Sequence, residues 1–209
     1  MSDSLDGEHD SFLGDQKRAV ECPKDKTASL VETTLHNGPN GLRCSTCEGC
    51  WLPRDSYEQW RRQQSSELRT ALEPKVMDVA FDRPPSDVLA AFCPVCSHYM
   101  SRAKVGRQHS FYVERCSNCE GIWCDRGEWE ALRQMGLHAS IDVIFTAEWK
   151  LRIKELESFE RERQATIDKL GDDIASRIFE LAELLERHPN GDFGVAYLMR
   201  RFDRPSESS

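Results

Sequence analysis

CSTCEGCWLPRDSYE (44–58) and CSNCEGIWCDRGEWE (116–130) can be laid one over the other. Cys44 falls on Cys116, Cys47 on Cys119, Gly49 on Gly121, Trp51 on Trp123, Arg54 on Arg126 and Glu58 on Glu130. So many scarce residue types do not coincide by chance, and the pattern reads as an internal repeat. The register continues upstream, where Cys22-Pro23-Lys24-Asp25 lies over Cys93-Pro94-Val95-Cys96 and Asp25 stands in place of Cys96. The interval from Asp25 to Cys44 is 19 positions, and from Cys96 to Cys116 it is 20.

A C-x-x-C turn sets two sulfurs on one side of a tight loop. Two such loops at one end of a β-hairpin supply the tetrahedral thiolates of a structural zinc site. The spacing therefore predicts two zinc ribbons, each a β-hairpin with zinc knuckles and a following helix. Site two is Cys93, Cys96, Cys116 and Cys119. Site one is Cys22, Asp25, Cys44 and Cys47, with Asp25 favoured by position because a carboxylate oxygen also ligates zinc. Cys50 or His36 could supply that fourth bond instead, although Cys50 aligns with Ile122 and so reads as a packed side chain. FYVERC (111–116) alternates as a strand entering a knuckle should, and Gly121 is expected to take positive φ where the chain leaves the loop.

The pattern C-P-x-C … C-x-x-C-x-G-x-W-x-D-x-G-E resembles the transcription factor IIB-type zinc-finger family. The second copy carries it on Cys93, Pro94, Cys96, Cys116, Cys119, Gly121, Trp123, Asp125, Gly127 and Glu128. The first keeps Cys22, Pro23, Cys44, Cys47, Gly49 and Trp51 but has Pro53 and Ser56 where the pattern wants Asp and Glu. The resemblance spans about residues 21–60 and 92–134, and implies zinc and a ribbon fold. Its transcription-factor label is a fold-level analogy that does not carry promoter binding with it.

Asp125-x-x-Glu128 reads as a capping box opening a helix to about Gln134. In the first copy, Asp55 and Glu58 begin a helix expected to continue to Pro74, with Tyr57, Trp60 and Leu68 facing the ribbon. Trp51, Trp60, Trp123 and Trp129 are expected to pack on the knuckles. Residues 73–91 hold three prolines and read as a linker, with a helical turn from Ser86. Residues 1–20 and 204–209 read as disordered tails. From about 138 to 203 the chain reads as a helical arm. Ile167, Leu170, Ile174, Ile178, Leu181 and Leu185 form the stripe of an amphipathic helix or coiled-coil seam. A hairpin and one bent helix both fit, and a short closing helix is expected at 195–202. The fold class is thus small α+β, two zinc ribbons and a helical arm.

The 209 residues are 39% hydrophobic and carry a net charge of −8, which argues against one large core. No segment reads as a membrane span, and the acidic start is not a secretory signal, so a cytoplasmic location is expected, with nine cysteines serving metal rather than disulfides. Residues 41–140 carry 13 basic and 13 acidic side chains, and thiolates around zinc add negative charge. This is not the footprint of a nucleic-acid reader, although Arg61/Arg62 and Arg102, Lys104 and Arg107 form local basic patches. No H-E-x-x-H or H-x-E motif marks a hydrolytic zinc, and Cys124, aligned with Leu52, reads as packing rather than a reactive thiol. The expected role is a non-enzymatic zinc-binding adaptor whose arm binds itself or a protein partner, with no catalytic residues; nucleic-acid or transcription-associated binding is the alternative.

Overall fold

The computed structural model describes residues 19–65, 79–107 and 109–203. Of the tails expected at 1–20 and 204–209, residues 1–18 and 204–209 lie outside the described residues, as do the first helix beyond residue 65 with Leu68 and the start of the linker. Val20 instead accepts from Leu30 N–H at 2.7 Å.

The strands fall where the hairpins were expected. The first half has β1 (Leu30–Thr34), β2 (Asn40–Cys44) and β3 (Cys50–Leu52); the second has β4 (Met100–Val105), β5 (Phe111–Cys116) and β6 (Ile122–Cys124). They make one six-stranded antiparallel sheet in the order β1-β2-β3-β6-β5-β4. Six helices complete an α+β fold among the described residues: α1 (Arg54–Arg62), α2 (Glu128–Gln134), α3 (Ile141–Ile144), α4 (Ala147–Leu170), α5 (Asp172–Arg187) and α6 (Gly191–Phe202).

The two halves are not separate heads. β3 pairs with β6 in the register Cys50↔Cys124, Trp51↔Trp123 and Leu52↔Ile122, so the two tryptophans face each other at the centre of the joint. Each ring then crosses to the other half. A Cβ on Gly121 would lie 2.1 Å from Trp51 Cζ2, and one on Gly49 would lie 2.2 Å from Trp123 Cζ2. These glycines serve close approach rather than backbone freedom. The left-handed residue leaving each knuckle is the preceding glutamate, Glu48 at φ 61° or Glu120 at φ 57°, which corrects the expectation for Gly121. Trp51 and Trp123 share one buried cluster with Cys22, Cys44, Cys93, Cys116, Leu30, Ala91 and Met100.

Trp60 and Trp129 build a second aromatic group. Their rings meet edge to face at 5.4 Å, with His138 against both. Nearby, Tyr57 Oη donates to the His138 carbonyl at 3.0 Å and accepts from Ile141 N–H at 3.1 Å. Asp142 receives Arg61 at 3.0 Å and Arg115 at 2.9 Å. Residues 138–150, read from sequence as the start of the arm, therefore pack with the sheet, and the compact unit runs to Lys150. Their buried apolar residues Ala139, Ile141, Ile144 and Trp149 are too few for a long stripe, which is why periodicity did not separate them from the helix that follows.

The linker is likewise structured over its described part. Phe81 packs on Phe111 at 5.0 Å between ring centres, and a 3-10 turn at Pro85–Val88 places the wholly buried Asp87 to accept from Tyr112 N–H at 2.9 Å. α1 ends at Arg62, well short of Pro74.

The second unit begins at Leu151 and is helical over its described residues. Gly171, at φ 78°, breaks the chain between α4 and α5. The helices turn back far enough for the Arg163 guanidinium to lie 3.8 Å over the Phe179 ring. α6 begins at Gly191, four residues earlier than expected, because Gly191 and Gly194 fit against Leu185: a Cβ on Gly191 would sit 1.9 Å from its carbonyl oxygen. The stripe remains largely bare, with Ile174, Ile178 and Leu181 exposed and Phe202 86% exposed. No helix among the described residues is long and apolar enough to cross a membrane.

Candidate metal centre

Strands β2 and β5 each end on the first cysteine of a knuckle, and β3 and β6 leave from its far side. Hairpin geometry thus brings the downstream C-x-x-C turn beneath the upstream cysteine loop. In the second half, sulfurs of Cys93, Cys96, Cys116 and Cys119 all lie within 4.8 Å of one another. Cys93 and Cys119 are 3.5 Å apart, Cys96 and Cys116 3.4 Å. Four sulfurs ~2.3 Å from a tetrahedral zinc would stand about 3.8 Å apart, whereas a disulfide needs ~2.05 Å. The cluster therefore has the size of a metal shell. Backbone N–H groups point at its sulfurs: Val95 and Cys96 donate to Cys93 at 3.4 Å, Asn118 to Cys116 at 3.4 Å and Cys119 to Cys116 at 3.5 Å. These bonds favour thiolates.

Left to protons alone, the set is strained electrostatically. The His98 backbone N–H leads in drawing Cys96 down to about 5, while burial pushes Cys93 and Cys119 up. A divalent ion removes that conflict by deprotonating all four ligands together. The donor set fits zinc.

Residues 92–134 match the transcription factor zinc-finger family. The match runs from just before Cys93 to the end of α2 and takes in all four cysteines of that cluster. No curated protein and no solved structure matches the chain.

The first half brings together Cys22, Cys44 and Cys47, again within 4.8 Å. Cys22 and Cys47 are 3.5 Å apart. Thr46 and Cys47 N–H donate to Cys44 at 3.4 Å, and Asp25 N–H to Cys22 at 3.2 Å. The hydrogen bond between Cys22 and Cys47 is the leading influence on both, lowering Cys22 and raising Cys47. This cluster also fits a zinc site, with three protein thiols. The Asp25 carboxylate is turned to Thr27, accepting from its N–H at 3.0 Å and its hydroxyl at 2.7 Å, and those bonds hold it below the usual carboxylate range. Neither alternative joins the sulfurs: Cys50 Sγ lies 3.8 Å from the Glu48 carbonyl, and His36 is exposed beside Asn37.

Cys124 and Cys50 are buried cross-strand neighbours. Burial pushes Cys50 up to about 11 and Cys124 well above its ordinary value, and protonated, water-excluded thiols are poor nucleophiles.

A buried charge network escaped the sequence reading. Asp87, Asp125 and Glu128 form a compact group with no solvent access to speak of. Asp125 accepts from Trp123 Nε1–H at 2.9 Å, and its own N–H donates to Glu128 Oε2 at 2.7 Å. The reciprocal half of the predicted capping box is thus present, but the Asp125 side chain holds the tryptophan instead of the helix, which begins at Glu128 after Gly127 in the left-handed region. Arg83 and Arg102 converge on Asp87, Arg102 stacks 4.2 Å from the Tyr112 ring centre, and its Nε stands 3.3 Å from Glu114. Burial lifts Glu114 to about 7. Lys24 Nζ, on a side chain only 1% exposed, reaches Glu114 Oε1 at 2.6 Å and Asp125 Oδ2 at 3.6 Å. One signal for it lay in the alignment, where this lysine replaces Val95.

Glu128 allows a direct check. Burial first, and the neighbouring Asp125 next, push its carboxyl well above the ordinary 4.5. A carboxyl that is harder to ionise when folded contributes stability that is full below the unfolded value and is lost as pH rises towards the folded one. Glu128→Gln should therefore cost under about 1 kcal/mol at neutral pH and flatten the stability slope above pH 4.5, whereas Glu128→Ala, which strips the acceptor from Asp125 N–H, should cost about 1–3 kcal/mol. Urea titrations between pH 4 and 8 separate the two.

Proposed function

We propose that this protein is a non-enzymatic, zinc-stabilised adaptor: two tandem zinc ribbons, fused through β3 and β6, form a rigid recognition head, and the C-terminal helices mediate assembly. The single observation that carries this reading is the open apolar groove of about 740 Å³ between α5 and α6, lined by Ile178, Leu181, Leu185, Val195, Leu198 and Phe202. Exposed apolar side chains run on beyond it, among them Ile174, Phe193 and Met199, and such clustering suits an interaction site. A second copy suits it well. α6 carries Asp192 in its first turn and Arg200 and Arg201 in its last, so an antiparallel pair about a two-fold axis, the commonest oligomer symmetry, sets acid against base at both ends.

Two further observations favour protein over nucleic acid. Arg61 is spent on Glu58 and Asp142, and Arg102 on Asp87 and Glu114. The transcription factor description of the matching family supports nucleic-acid association as the second reading; binding that weakens steeply with salt would favour it.

Sedimentation of the full chain tests the first. Its mass should exceed the 24.0 kDa of one chain, and Leu181→Asp with Leu198→Asp should return it to that value without loss of zinc. A wild-type chain that stays monomeric at every concentration overturns assembly through the groove.

A further inference from the structure

The geometry points to a division of labour between the two metal sites: the first is the exchangeable one, and Lys24 reports its occupancy to the second ribbon. The inference rests on the zinc reading above. The first site gathers three protein sulfurs where the second gathers four, so an ion held there would have fewer thiolate bonds to break on leaving.

Lys24 sits inside the first upstream loop, between Cys22 and Asp25. The loop is folded around the Cys22 sulfur, to which Asp25 N–H donates at 3.2 Å. From there the lysine leaves its own half altogether. Nζ donates to Glu114 Oε1 at 2.6 Å, to the Ser86 carbonyl at 3.3 Å and to the Leu89 carbonyl, and it stands 3.6 Å from Asp125 Oδ2. Glu114 lies on β5, two residues before the ligand Cys116, and Asp125 holds the Trp123 indole. The side chains of both carboxylates are fully buried. Glu114 Oε2 and Asp125 Oδ2 accept no hydrogen bond, so the ammonium is the charge that faces them from the first half.

Withdrawing it leaves Arg102 as the cation at Glu114 among the described residues, in a chamber that already holds Asp87 and Glu128 as well. Buried carboxylates without their cation are strongly disfavoured. Release of the first ion frees the Cys22 loop, draws Lys24 out and loosens β5 and the Trp123 joint. Linkage makes the effect mutual, so a change at Glu114 must alter how firmly the first ion is held. The second copy has the exposed Val95 at this position and nothing comparable. The lysine belongs to the copy that lost its fourth cysteine.

The test uses the full chain loaded with zinc and a strong chelator, following zinc release with a metallochromic dye alongside hydrogen exchange of residues 111–116. Two release phases are expected, the faster holding one zinc and absent from Cys22→Ser. Exchange across 111–116 should rise with that faster phase. Glu114→Gln, although on the other ribbon, should weaken zinc binding at the first site by about 5- to 150-fold, the usual range of coupling between sites, and so speed that phase. Lys24→Met should keep both zinc ions and sever the link, while Lys24→Arg should retain it; if Lys24→Met fails to fold, Glu114→Gln decides alone. Release in a single phase, or a faster phase that neither Glu114→Gln nor the exchange of 111–116 follows, overturns the coupling. A chain that binds no zinc at all defeats the underlying zinc reading instead.

Discussion

Gly121→Val is expected to destabilise the protein by about 3 kcal/mol, the upper end of what overpacking a core costs. The reason is space alone, since Gly121 is not among the residues at positive φ. Its absent Cβ would stand 2.1 Å from Trp51 Cζ2 and 2.5 Å from Cη2. The indole cannot swing aside, because Trp51 is 1% exposed at the centre of the β3–β6 ladder. Gly49→Val should do the same through Trp123. Neighbours in contact do not act additively. Trp51→Leu, which removes the obstructing ring, should therefore make Gly121→Val cheaper than it is alone. Urea unfolding of the four species gives the coupling. Strict additivity would mean that the glycine and the tryptophan do not meet, and that the halves are joined otherwise.

Cys116→Ser should have a larger effect still. Cys116 is fully buried, ends β5, and receives two backbone N–H bonds at its sulfur. A structural zinc contributes on the order of 10 kcal/mol in small zinc-finger peptides, comparable with the whole stability of an ordinary domain, about 5–15 kcal/mol. The variant should bind one zinc instead of two and lose exchange protection across β4, β5 and β6. Because β6 completes the joint, β3 should lose protection as well. Cys44→Ser should remove the other zinc with a smaller loss, since the first cluster holds three sulfurs rather than four. Equal zinc content in wild type and Cys116→Ser would contradict the assignment of site two.

The cysteine clusters and the strands between them were legible because cysteine spacing is a strong constraint on a short chain. FYVERC is β5, residue for residue, and the helix after Asp125 ends at Gln134 as read. The union of the halves was not legible. The alignment shows that Trp51 and Trp123 are equivalent, but equivalence says nothing about which knuckle each ring covers, and the crossing follows only from β3–β6 pairing. Lys24 was hidden for a related reason: its partners Glu114 and Asp125 lie some 90 and 100 positions away in sequence, beyond any local pattern. Asp25 was read from register, and the structure turns its carboxylate to Thr27, an interaction two residues away that a positional alignment does not weigh. Residues 138–150 were helical in composition, yet Tyr57 and Asp142 tie them to the sheet.

The central claim is that bound metal, more than apolar burial, shapes the head of this molecule. Elemental analysis of the purified chain, paired with far-UV circular dichroism before and after a strong chelator, measures it most directly. The account predicts two zinc ions per chain and a collapse of the strand signal as they are stripped. A zinc-free chain whose spectrum and melting ignore the chelator would contradict it.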